Sequence, residues 1–213
     1  MKLHVTPTSP YGRMARVVVI EKRLEHLVEV VAAETRKAGS PYYGINPSGR
    51  VPYLERSDGP GLEDSSLICA YFDKTGTGPQ LVLPPETDNW EFGRLEMLAR
   101  SFVDGVAVLV REKRRPASEQ SPTIVAHEEA RARRLISTWE NELSSSVLTG
   151  PFNMAQLVLA CGLQSAQNAL GAACLAEYPA LSAWFGKCSQ RASMARTHPS
   201  AALHQPVNLL GQP

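Results

Sequence analysis

Residues 46–72 read NPSGRVPYLERSDGPGLEDSSLICAYF. The first five, rich in Asn, Pro, Ser and Gly, belong to an irregular segment running from Ser40 to Arg50 that holds at most a short helix. Two short strands are expected next, around Val51–Glu55 and Gly61–Leu62, joined across the turn-forming Ser57-Asp58-Gly59-Pro60 as a hairpin. Asp64-Ser65 then offers an N-cap, and Leu67, Ile68, Tyr71 and Phe72 supply the apolar face of a helix.

Upstream, Lys2–Val5 reads as a strand, Ser9–Arg23 as a helix with Met14, Val17, Val18 and Leu24 at helical spacing, and Leu27–Val31 as a second strand. A strand, a helix and a strand this close together predict a parallel, right-handed βαβ unit. Downstream, Gly76-Thr77-Gly78-Pro79 and Pro84-Pro85 mark a linker. Strand alternation then stops, and helices are expected over Thr87–Arg114, Pro122–Ser145, Asn153–Leu170 and Pro179–Ala192, with about the last 15 residues as coil. The domain boundaries follow: 1–77 as an α/β domain, 78–86 as linker, and 87–213 as an all-α domain.

Composition narrows the function. The chain of 213 residues is 43% hydrophobic and 20% charged, ordinary values for a globular protein, and no stretch reaches the roughly 18 apolar residues of a membrane span. A net charge of +1 provides no field to gather polyanions, so neither nucleic acid nor membrane is expected as a partner. The cluster Arg111-Glu112-Lys113-Arg114-Arg115 suits a solvated helix end, where cations meet the carboxyl-terminal dipole; the alternative is the border of an anion-binding cleft. The first prolines follow Met1–Val5 too closely for a signal-peptide apolar region, so a cytoplasmic location is expected. Cys69, Cys161, Cys174 and Cys188 form no Cys-x-x-Cys pair and no zinc spacing, and read as buried small hydrophobes.

Three motifs carry chemistry. Ser9-Pro10-Tyr11-Gly12 lies where the first strand enters the first helix, a place whose open N–H groups and dipole favour an anion such as a thiolate. With no cysteine at either end of the tetrad, dithiol exchange is excluded and the sulfur must come from a ligand. The Ser9 hydroxyl can donate to such a thiolate and lower its pKa, although taken alone Ser9 is equally an N-cap, and Thr6 and Thr8 are nearby alternatives. Val51-Pro52 places a proline at a strand entrance: a cis bond would turn the Val51 N–H and C=O outward to pair with an extended peptide, and a trans proline opening an edge strand is the plainer alternative. Glu63-Asp64-Ser65-Ser66 offers the two halves of an amino-acid head group a partner each, Asp64 for the ammonium and Ser65 with helix-terminal N–H groups for the carboxylate; it is also ordinary capping chemistry.

In joint order and spacing, Ser9-Pro10-Tyr11-x-Arg13, Asn46-Pro47-Ser48-Gly49-Arg50-Val51-Pro52 and Asp64-Ser65-(x)2-Ile68-(x)2-Tyr71 resemble the amino-terminal domain of soluble, bacterial-like glutathione transferases. The likeness continues through Asn153-Met154-Ala155-Gln156, similar to the capping-box start of that family's core helix, and through Tyr178-Pro179-Ala180-Leu181-(x)2-Trp184 with Arg191-Ala192-Ser193-Met194. Gln156 stands where the family's box usually ends in Asp, and could still cap a backbone N–H; Ala192 and Met194 depart from the Arg-Pro-Ser-Phe pattern.

The resemblance implies a thioredoxin-like amino-terminal domain that binds glutathione and an all-helical domain that supplies the pocket of an apolar electrophile. Glutathione would lie with its γ-glutamyl end at Asp64 and Ser65, its cysteinyl backbone on Val51 before Pro52, its sulfur facing Ser9, and its glycine carboxylate near Arg50 and Lys37. Tyr11 and the stripe Phe102, Val103, Val106 and Val110 would line the second pocket, although such a stripe is more often core. The implied reaction is conjugation of the glutathione thiolate to an electrophilic carbon, without a metal, in a homodimer. Two rivals stand beside it: a non-catalytic binding or interaction protein of the same fold, and a glutathione-dependent isomerase or deglutathionylase, against which Ser9 argues because it is not cysteine.

Overall fold

The computed structural model describes residues 1–82 and 90–203. It divides into two compact units, Met1–Gly78 joined by the described residues from 196 to 203, and Pro79–Ala195.

The first unit is built on a four-stranded sheet in the order β2-β1-β3-β4, with β1 at Lys2–Val5, β2 at Glu29–Ala32, β3 at Tyr53–Glu55 and β4 at Leu62–Glu63. β1 and β2 are parallel, as a βαβ unit requires; β1 with β3 and β3 with β4 are antiparallel. The expected start of the second strand at Leu27 is corrected to Glu29. Leu27 N–H and Val28 N–H still donate to the Leu24 carbonyl in the turn that leaves the helix, and parallel pairing begins only where Glu29 meets Lys2.

Between β1 and β2 runs α1, Pro10–Glu21. Met14, Val17 and Val18 have no exposure, as their spacing requires, but every residue from Gly12 to Val19 is buried. Arg13 and Arg16 are therefore interior cations, a feature that helical periodicity does not anticipate. Burial, and after it the charge of Arg13, lowers the pKa of Arg16. Arg13 Nε donates to Thr197 Oγ1 at 3.4 Å and Arg196 pairs with Glu25, so this tail, placed by sequence with the helical half, groups with the α/β unit.

The segment before β3 contains only the single turn α2, Tyr42–Ile45. Asn46 to Gly49 closes a tight turn in which Gly49 has φ +66°, and a Cβ there would lie 2.6 Å from the Tyr43 ring, so both backbone and space demand glycine. After β4 comes α3, Ser65–Thr75. Its buried face is Ser65, Ile68, Cys69 and Phe72; the expected Leu67 is 52% exposed and Tyr71 only half-buried, because these two, four residues apart, share a row about 100° round the helix from Ile68 and Phe72.

The second unit is helical. α4 spans Trp90–Lys113, α5 Pro122–Glu142, α6 Ser146–Thr149, α7 Met154–Leu170, α8 Pro179–Ser189 and α9 Ala192–Arg196. The expected helix start at Thr87 and most of the expected linker lie outside the described residues, as do residues 204–213 of the expected carboxyl-terminal coil. α7 is apolar nearly all round and forms the centre, packed on α4; Gly162 lets them close, since a Cβ there would stand 2.8 Å from the Phe102 ring. Of the stripe, Phe102, Val103 and Val106 are buried in the core of this unit, whereas Val110 is half-buried.

α5 stops at Glu142 rather than Ser145, because Ser145 is the N-cap of α6, its hydroxyl accepting from Val147 N–H. α8 likewise ends at Ser189, and Ala192 opens a separate helix that buries Ser193 and Met194. In the basic cluster, Lys113 pairs with Glu129 and Arg115 with Glu119, as a solvated helix end with local partners would. None of the four cysteines is in a disulfide; Cys69, Cys161 and Cys188 are buried and Cys174 is half-exposed. No described helix is long and apolar enough to cross a membrane.

Candidate glutathione site

The strand register decides where the three motifs meet. His4 pairs with Tyr53 and Tyr53 with Glu63. Running both registers off the sheet in the same direction sets Val5 and then the chain towards Ser9 beside Pro52 and Val51, and Pro52 beside Asp64. β2 runs parallel to β1, so its continuation towards Lys37 leaves from this end too. Ser9, Lys37, Arg50-Val51-Pro52 and Asp64-Ser65 are thus collected at one end of the sheet, together with the amino termini of α1 and α3.

At α1 the capping role of Ser9 is realised: its Oγ accepts from Gly12 N–H at 3.1 Å, with Pro10 in the first turn. Accepting with a lone pair does not use the hydroxyl proton, so cap and thiolate donor are compatible functions of one group. Tyr11 is half-buried on the first turn.

The Val51-Pro52 bond is cis. The preceding residue, Arg50, is exposed, and its carbonyl accepts from both the Tyr42 hydroxyl and Asn46 Nδ2. Burial raises the Tyr42 pKa, hydrogen bonding by Asn46 opposes the rise, and the carboxylate of Glu63 adds to it. Lys37 is exposed and its Nζ lies 3.1 Å from both carboxylate oxygens of Glu34, so a ligand carboxylate would have to share that cation.

At α3, Asp64 is the N-cap, accepting from Ser66 N–H at 2.7 Å, and is exposed, whereas Ser65 is buried. Asp64 has φ +79°, a backbone region that residues other than glycine adopt at a cost of order 1–3 kcal/mol and that concentrates at functional sites.

Two polar residues within the quoted motifs acquire contacts that neither capping nor periodicity suggests. Ser48 Oγ donates to Glu63 Oε2 at 2.7 Å, across from the loop to β4, and also accepts from Arg50 N–H. The signal was the pair of polar residues flanking Gly49 and Asp64, but only the strand register brings them together. Among the described residues no cluster of three His, Cys, Asp or Glu side chains is placed to hold a metal ion.

Comparison with known proteins agrees with this architecture. Residues 8–75 match the family model for the glutathione S-transferase N-terminal domain. The chain is 27% identical to the uncharacterized GST-like protein YibF of Escherichia coli K12 over 95% of this chain and all of that one. Among solved structures, a glutathione transferase family member from Pseudomonas fluorescens Pf-5 with bound glutathione superposes with a TM-score of 0.83 at 26% identity, over 93% of this chain and 98% of that one. A glutathione S-transferase from Methylobacillus flagellatus KT, also with glutathione bound, gives 0.82 at 28% identity over the same shares. The thioredoxin-like unit thus carries the match to the glutathione S-transferase N-terminal domain, and the fold is similar to these glutathione-bound structures over more than nine tenths of the chain.

Proposed function

We propose that this protein binds glutathione at the shared end of its sheet and conjugates the thiolate to apolar electrophiles. The observation that carries the reading is the convergence of two helix amino termini with the Arg50-Val51-Pro52 segment, set by the register of β1, β3 and β4. Glutathione bound in the related structures supports the choice of ligand.

In this reading Asp64 holds the γ-glutamyl ammonium, and Ser65 with the first N–H groups of α3 holds its carboxylate. The Val51 backbone pairs with the cysteinyl residue. Arg50 and Lys37 face the glycine carboxylate. The Ser9 proton and the α1 amino terminus stabilise the thiolate, each unit of lowered pKa being worth about 1.4 kcal/mol. The protein's contribution is then to orient the nucleophile and favour its charged form, with no covalent enzyme intermediate.

Isothermal titration with glutathione tests the binding half, run beside Asp64→Ala and Ser65→Ala. Binding by the parent that both variants lose supports the site; no binding by the parent sinks the reading. Turnover on a panel of electrophiles then separates a transferase from a binding protein.

A further inference from the structure

Every contact assigned above to the middle of glutathione rides on the loop before β3, and every contact assigned to its γ-glutamyl end rides on the turn after β4. β4 is an edge strand of two residues, Leu62–Glu63, so the ladder between these supports is short. One side-chain bond crosses beside it: Ser48 Oγ to Glu63 Oε2 at 2.7 Å.

Ser48 is the hub of the loop. Its N–H donates to Asn46 Oδ1 at 3.2 Å, and its hydroxyl accepts from Arg50 N–H at 3.1 Å while donating to Glu63. Asn46 in turn donates to the Arg50 carbonyl, as does the Tyr42 hydroxyl. The peptide groups on both sides of Arg50 are thus held by a frame whose outer attachment is the carboxylate directly preceding Asp64. A hydrogen bond to a carboxylate is the stronger kind, and this one ties the exposed Ser48 of the loop to Glu63 at the end of β4.

We infer that Ser48 and Glu63 form a positioning clasp that fixes the spacing between the Arg50-Val51 segment and the Asp64-Ser65 turn, and thereby sets affinity for glutathione; the inference rests on the glutathione reading given above. Neither residue needs to touch the ligand. The clasp fixes the two half-sites relative to one another, so that this ordering cost is met before binding.

The test is a double-mutant cycle on glutathione affinity in the full chain, using Ser48→Ala, Glu63→Ala and the pair, with Ser48→Thr as the conservative variant and the melting temperature followed throughout. The expected result is about a tenfold loss of affinity in each single variant, no further loss in the double, recovery in Ser48→Thr, and melting temperatures close to the parent's, since both residues are at the surface. Losses that add, or a loss in Glu63→Ala alone, would show that Glu63 acts on the ligand by itself and would overturn the clasp. Parent-like affinity in both singles overturns it too, while leaving the glutathione site standing. A parent that binds no glutathione overturns the functional reading and the clasp together.

Discussion

Lys22 Nζ lies 3.1 Å from Asp73 Oδ1, with the two side chains only 3% and 6% exposed. The same ammonium donates to the Gly78 carbonyl, so the end of α1, the last turns of α3 and the chain leaving the unit meet at one buried charge. Removing one partner of such a pair strands the other. Lys22→Ala and Asp73→Ala should each lower stability by about 3–5 kcal/mol, and Lys22→Met with Asp73→Leu should cost less than either. Urea unfolding of the three variants measures this; a double variant worse than both singles would contradict it.

Ser9 gives a prediction with two separable parts. Ser9→Ala loses the acceptor for Gly12 N–H and should cost about 1 kcal/mol of stability. If the hydroxyl also serves a thiolate, the pKa of bound glutathione should rise towards its free value of about 8.5, followed by the ultraviolet absorbance of the thiolate. A stability loss with an unmoved thiol pKa would leave Ser9 as a cap alone, with Thr8, Tyr11 or backbone N–H groups as the candidates.

At the start of α7, Asn153 Oδ1 accepts from Gln156 N–H. Gln156 itself does not close a capping box, as the family pattern suggested; its amide donates to the carbonyls of Val147, Gly150 and Pro151. Gln156→Glu would aim a buried carboxylate at three carbonyl oxygens and should destabilise by about 2–4 kcal/mol at neutral pH. Burial and those oxygens would raise the introduced group's folded pKa above its unfolded value of about 4.3, so the penalty is present above that value and relaxes as pH falls towards it. Unfolding at pH 7 and pH 4 should show the gap from the parent narrowing.

Burial pushes the Cys188 thiol up to about 11, against opposing charges from Arg191 and Lys187, and also raises that of half-exposed Cys174. At pH 8 the Cys188 thiolate is then on the order of one in a thousand. Iodoacetamide should modify Cys174 slowly and Cys188 more slowly still, with Cys69 and Cys161 reacting only on unfolding. The Cys188 rate should climb about tenfold per pH unit below its pKa. Peptide mapping after timed alkylation checks the order, and rapid labelling of Cys188 at pH 8 would contradict it.

What sequence revealed depended on the range of the cause. Asp64 as a cap is local chemistry, settled within three residues, and Gly49 sits in a turn whose residues announce it. The start of β2 was misplaced by two positions because it is set by Lys2, on another strand. Arg13 and Arg16 look like an exposed stripe until all sides of α1 are covered. Ser48 and Glu63 were visible as residues but not as partners, since 15 positions separate them and only pairing of β3 with β4 closes the distance. Phe102, Val103 and Val106 show the converse: an apolar stripe has the same pattern whether it lines a pocket or fills a core.

Because all the proposed ligand contacts leave from one end of the sheet, the opposite end is available to the experimenter. The turn from Arg23 to His26 and the hairpin tip Ser57–Pro60 both lie there. The tip is steadied by Arg56, which donates to the Pro60 carbonyl and lies over the Tyr71 ring. A fluorophore or short tag set into that tip, with Arg56 kept, would report on ligand binding from a distance without competing for the same backbone.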